Sequence, residues 1–119
     1  MYNGFGGDME DITDKFNEGK KNDTEKLRMD LIPPEIEEEL AKALTHGCKE
    51  YGDRNWEKGI NYNRIYGALR RHLLKWLNGK DMDEDSGIMH LSLALAELCF
   101  LLTYEKRSMG KEFDNLRRK

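Results

Sequence analysis

The chain has 119 residues, of which 38% are apolar and 36% charged, and its formal net charge is −3. That suffices for one domain with a thin core and leaves little for a second. No basic stripe runs through it, which argues against a nucleic-acid polymer as partner. The longest apolar run, Leu91 to Leu102, is too short to span a bilayer and carries Glu97, so no membrane partner is expected. Cys48 and Cys99 fall on apolar helix faces without zinc or disulfide spacing, as small core thiols of a reducing compartment do. The first residues are rich in Gly and Asp, not basic then apolar, so no secretory signal is read and the expected location is the cytoplasm.

Residues 1–26 show no sustained period and abundant Gly, Asp, Asn and Lys, which predicts a flexible N-terminal arm. A helical domain is expected over 27–106 and a C-terminal tail over 107–119, whose last three residues, the basic cluster RRK, read as a short frayed end. "LRMDLIPPE" is extended, because each proline disfavours helix at the residue before it. The first helix is predicted from Pro34 to Glu50, with Ile36, Leu40, Ala43, Leu44, Gly47 and Tyr51 on one face. Glu35, Glu37, Glu38 and Glu39 crowd its first turns, where the helix dipole favours negative charge. Gly52 marks its end.

The second helix is predicted over 62–78, its stripe formed by Tyr62, Ile65, Tyr66, Leu69, Leu73, Trp76 and Leu77. After the loop "GKDMDEDSG", a third helix is predicted from Ser86 to Lys106, with Ser86 or Asp85 as its N-cap. Its segment "LSLALAELCFLLT" is apolar nearly all round, as in a central helix. No stretch alternates like a strand. The fold expected is all-α, a small bundle of three main helices completed by oligomerisation. One flank of the third helix would stay uncovered, which predicts a homodimer or homotetramer with the second and third helices near the interface.

On a wheel of about 100° per residue, Glu35, Glu39, His46 and Glu50 lie within roughly 60° of one another, beside the buried seam. Glu97 is the one charge in an otherwise apolar helix, and an unpaired buried carboxylate is costly. It has two possible explanations: an interhelical salt bridge to Arg70, Arg71 or Lys42, or a polar cleft in which Glu97 and His90 face the acidic row. Oxygen ligands gathered that way suit Mg²⁺ or Mn²⁺. His72, on the buried side of the second helix, reads first as a hydrogen-bonded core residue. In "THGCKEYGDRNWEKGIN", Tyr51 and Trp56 are either core aromatics or a stacking wall. In the second case Asn55 would read a base edge while Lys49, Arg54 or Lys58 touch phosphate.

Four stretches in order, "KLRMDLIPPE", "HGCKEYGDRNWEKGI", "YGALRRHLLKWLNGKDMD" and "DSGIMHLSLALAELCFLL", resemble the phage dATP/dGTP diphosphohydrolase family, which is similar to the MazG-like all-α NTP pyrophosphatases. Glu35, Tyr51-Gly52, Asn55-Trp56, Arg71-His72, Asp83, Ser86-Gly87 and His90 match the family pattern. The sequence departs from it at Leu93, where relatives typically show His, and at Glu97, where they often carry Asn. Of the MazG pattern, Glu35-x-x-Glu38 and Glu50-x-x-Asp53 have the right residue types, with Asp53 past the predicted helix end.

The resemblance implies a metal-dependent enzyme that cleaves a (deoxy)nucleoside triphosphate to monophosphate and pyrophosphate, purine-directed and phage-encoded, acting in the host cytoplasm. In such an enzyme Glu35, Glu38, Glu39 and Glu97 would hold Mg²⁺ or Mn²⁺, and Glu39, Glu50 and His90 would be the catalytic groups. Lys49, Tyr51, Asn55, Trp56, Lys58, Arg71, His72 and Asp83 would bind substrate, in a site commonly completed across subunits. The alternative is a non-catalytic module that sequesters a signalling nucleotide; a helical assembly protein with no ligand is the third possibility.

Overall fold

The computed structural model of the chain describes residues 19–117. The flexible arm expected over 1–26 lies mostly outside them. The chain divides into two units at Leu31/Ile32. The described part of the first is exposed throughout and ends in a 3-10 turn over Met29–Leu31, where Arg28 donates two hydrogen bonds to Asp30.

The second unit carries four helices: α1 (Pro34–Tyr51), α2 (Tyr62–Leu77), α3 (His90–Lys106) and the short α4 (Gly110–Phe113). Among the described residues there is no strand beyond an isolated bridge between Met82 and Met89. The all-α class and the three main helices are therefore as the sequence predicts.

Pro34 opens α1, where a missing N–H costs nothing. Gly52, at φ +93°, ends it with its N–H donating to the Cys48 carbonyl, a backbone geometry that a Cβ would strain. In α2 the residues Tyr62, Ile65 and Leu69 turn inward at helical spacing. Helix α3 packs against both α1 and α2, whereas those two hardly touch each other. A single central helix thus supports two flanking helices with a gap between them, and that gap becomes the site. One flank of α3 stays uncovered: Leu98 and Leu102 are 50% and 65% exposed.

Helix α3 starts four residues later than predicted. The Asp83 carboxylate accepts from both the Ser86 N–H and the Ser86 hydroxyl, and Gly87, at φ +73°, sends its N–H back to the Asp83 carbonyl. Ser86 is therefore consumed in a tight loop, where its own hydroxyl accepts from the Ile88 N–H, and it does not cap a helix.

The C-terminal segment also departs from expectation. Phe113 packs on the buried cluster of Tyr62, Ile65 and Tyr104, and Asn115 exchanges hydrogen bonds with Asn63. Arg117 pairs with Asp114 and Glu105. Residues 107–117 fold back onto α2 and α3, because Phe113 supplies apolar area that the polar sequence around it conceals.

Candidate functional site

Between α1 and α2, above α3, lies an open cleft of about 1150 Å³. Its α1 wall carries His46, Glu50 and Tyr51, and its α2 wall carries Arg64 and Arg71. The connection Gly52–Gly59 closes one end with Asn55 and Trp56, and Leu93, Ala96, Glu97 and Phe100 of α3 form the floor. Small residues, Ala43, Gly47, Gly67 and Ala68, stand on its walls. A Cβ built on Gly47 would meet nothing within 4 Å.

Trp56 is set by its neighbours. Asp53 and Arg54 follow Gly52 in a turn, with Arg54 left-handed at φ +56°, and this delivers a 3-10 turn over Asn55–Lys58. The Trp56 ring stacks on Phe100 at 4.7 Å between centroids, and its carbonyl accepts from the Tyr104 hydroxyl at 2.6 Å. Trp56 is thus at once a packing residue of α3 and part of the cleft wall. The two roles weighed for it are compatible.

Glu97 is half-buried on the floor, with no hydrogen bond or ion pair to any described residue. Burial raises its pKa to about 7, against a smaller opposing pull from the Arg71 guanidinium. The salt bridge weighed for it does not form: Arg70 hydrogen-bonds the Tyr66 hydroxyl instead, and Lys42 pairs with Glu39. On the α1 wall His46 Nε2 stands 3.8 Å from Glu50 Oε1.

Other residues named from sequence lie elsewhere. Glu39 accepts from the buried Ser92 hydroxyl at 2.7 Å and from Lys42 at 2.7 Å, and Lys42 first, then Ser92, holds its carboxyl below the usual range. Glu35 and Glu38 are exposed, and Lys49 and Lys58 do not line the cleft. His90 is buried, and its Nδ1 lies 3.0 Å from the Nδ1 of His72. One imidazole of that pair must donate and the other accept, and burial followed by the charge of His90 lowers the pKa of His72. Asp83 and His90 border a second, small cavity of about 160 Å³ beside Lys75 and Lys80.

Among the described residues no three His, Cys, Asp or Glu side chains converge into a group that could hold a metal. Within one chain, therefore, Glu35, Glu38, Glu39 and Glu97 do not form the expected metal set. Three of them sit on the first turns of α1, and Glu97 faces a different part of α3 from the Ser92 that Glu39 contacts. The sequence reading missed Ser92, Arg64 and Phe100. Only Phe100 carried a signal, its spacing of four before Tyr104 on the apolar helix.

The family described as dATP/dGTP diphosphohydrolase, N-terminal, matches residues 16–115. The chain belongs to this family. A relative named dATP/dGTP diphosphohydrolase, from Salmonella phage PMBT28, is 35% identical over 83 residues, which are 70% of this chain. The chain spans 28% of that relative's length. No solved structure matches the chain. The matched region includes the whole cleft of this family member and both of its cavities. No helix among its described residues is long and apolar enough to cross a membrane.

Proposed function

We propose that the chain is a purine (deoxy)nucleoside triphosphate diphosphohydrolase that acts in its open cleft and releases pyrophosphate and a nucleoside monophosphate. The observation that carries this is the grouping of an aromatic wall, the Arg64 and Arg71 guanidinium groups and the Glu50 and Glu97 carboxylates in one space large enough for a nucleotide. Family membership supplies the reaction class, since the phage relative is named for dATP and dGTP.

In this reading Arg64 and Arg71 receive the phosphate chain and offset charge as it builds on the leaving pyrophosphate. A water oxygen bonds to the α-phosphorus while the bond to the α–β bridging oxygen breaks, and that oxygen leaves with the pyrophosphate. Glu50 takes the water's proton, held in place by His46 beside it. Asn55, Tyr51 and Trp56 enclose the base and sugar. Dependence on Mg²⁺ or Mn²⁺ is part of the proposal, but the donor set of one chain does not fit a complete divalent site, and no step above runs through it. A second copy docking on the uncovered stripe Leu91, Leu98 and Leu102 is the proposed homodimer.

The test is incubation of the full chain with dGTP or dATP, with and without Mg²⁺, scored for pyrophosphate. Turnover is expected, and Glu50→Gln is expected to lower kcat about 100-fold or more with KM little changed. Bound nucleotide recovered intact after long incubation would overturn the hydrolase in favour of sequestration. Light scattering at micromolar concentration checks the dimer.

A further inference from the structure

We infer that Arg107 is a positioning residue of the cleft: standing outside it, Arg107 holds and neutralises the Glu57 carboxylate, so that the space admits a polyanion. This rests on the nucleotide reading above and adds the residue that fits the charge of the cleft to a triphosphate.

The charges that line the cleft conflict with such a ligand. Among the described residues four carboxyl groups line it, those of Glu50, Asp53, Glu57 and Glu97. Against them stand the guanidinium groups of Arg54, Arg64 and Arg71, with His46 beside Glu50. In a cleft with low-dielectric walls each lining charge acts on a ligand throughout the space. Phosphates are anionic acceptors that a carboxylate repels. Such a lining suits a triphosphate better when one of its carboxylates is cancelled from outside.

Glu57 is the one placed for that. Its Oε1 accepts from Arg107 Nη1 at 2.8 Å and its Oε2 from Arg54 Nη1 at 3.2 Å, so both oxygens are engaged. The side chain is only 20% exposed, and the Arg107 hydrogen bond, more than any other influence, holds its carboxyl below the usual range. Arg107 is the first residue beyond α3 and does not line the cleft, so its charge is directed at Glu57 and not at a ligand. Arg54 is the looser partner, with the longer bond on a side chain that is 80% exposed. The connection does not depend on the Arg107 pair to keep its place. Tyr104 holds the Trp56 carbonyl, Phe100 stacks on its ring, and the Phe113 ring lies over Gly59. Without Arg107 the wall therefore stays, while one Glu57 oxygen is freed to act on the cleft.

The experiment compares kcat and KM for dGTP with Mg²⁺ in the full chain, for the unmodified protein, Arg107→Met, Glu57→Gln and the double variant. Arg107→Met keeps the aliphatic stem and loses the charge, and its KM is expected to rise about two- to fivefold with kcat little changed. Glu57→Gln has no charge to cancel, so its KM should be no higher than that of the unmodified protein, and the double variant should match it. Arg107→Lys keeps the charge and should restore most of what Arg107→Met loses. A double variant as weak as Arg107→Met would overturn the inference, because Arg107 would then attract the anion directly. An unchanged KM in Arg107→Met, or a loss confined to kcat, would overturn it as well. If dGTP is not hydrolysed, the hydrolase reading fails by itself. The same comparison, read as Kd by calorimetry with dGTP, then decides Arg107. A chain that does not bind dGTP overturns both readings.

Discussion

The two ends of the α2–α3 pair are built on opposite principles. At one end Tyr62, Ile65 and Tyr104 are nearly inaccessible, and Trp56, Phe100 and Phe113 press on them. Both tyrosine hydroxyls there are satisfied, Tyr104 by the Trp56 carbonyl and Tyr62 by Glu105 at 2.9 Å, and burial pushes each phenol up to about 12. At the other end α1 stands off from α2, small residues replace large ones, and Glu97 has no hydrogen bond or ion pair to any described residue. The closed end gives the stability that lets the open end hold a desolvated carboxyl.

The comparison predicts where the protein breaks. Tyr104→Ala removes the most buried ring and its hydrogen bond, and should cost about 3–5 kcal/mol, measured by urea unfolding. A smaller loss is expected from Gly59→Ala, because Gly59 sits at φ +108° and a Cβ there would run into the Phe113 ring. About 1–3 kcal/mol is reasonable, with the thermal midpoint falling accordingly. If either change is neutral, the closed end is not the source of stability.

The open end should behave in the reverse sense. Glu97 titrates near 7 when folded, above its ordinary 4.5, so the folded state holds that proton more tightly than the unfolded chain. Stability should therefore fall as pH rises from 4.5 to 7, by on the order of 1–2 kcal/mol once partial solvent access is allowed for. Glu97→Gln should remove that slope and leave the protein more stable at neutral pH, as chemical denaturation across the range will show. The smallest effect is expected from Ser92→Ala. It frees one oxygen of Glu39, which keeps Lys42, and should cost about 1 kcal/mol with the cleft unaffected.

How much of this the sequence showed follows from what a single helix can report. Periodicity located α1 and α2 to within a residue, because their apolar stripes are one-sided. Helix α3 gave its type and its central place, but its apolar surface has no sidedness to say which residue faces which neighbour. The Ser92–Glu39 hydrogen bond and the His72–His90 contact depend on that rotation, so a wheel drawn for one helix put Glu39 and His90 with Glu97. Tyr51, Asn55 and Trp56 stand out in the sequence because glycine punctuation marks the connection, and Arg71 because the family pattern marks it on α2; all four line the cleft. The start of α3 was misjudged because Asp83 and Ser86 are as good at making a turn as at capping a helix.

Trp56 has a consequence beyond packing. It is one of two tryptophans, and the other, Trp76, is 43% exposed on α2 and lines neither cavity. The Trp56 indole lies against Phe100 and Trp56 lines the cleft, so its emission should be blue-shifted and should respond to a base entering beside it. Trp76, in contact with water, should supply a red-shifted signal that stays constant. The protein carries its own optical gauge of occupancy, and nucleotide binding can be followed without a label on either partner.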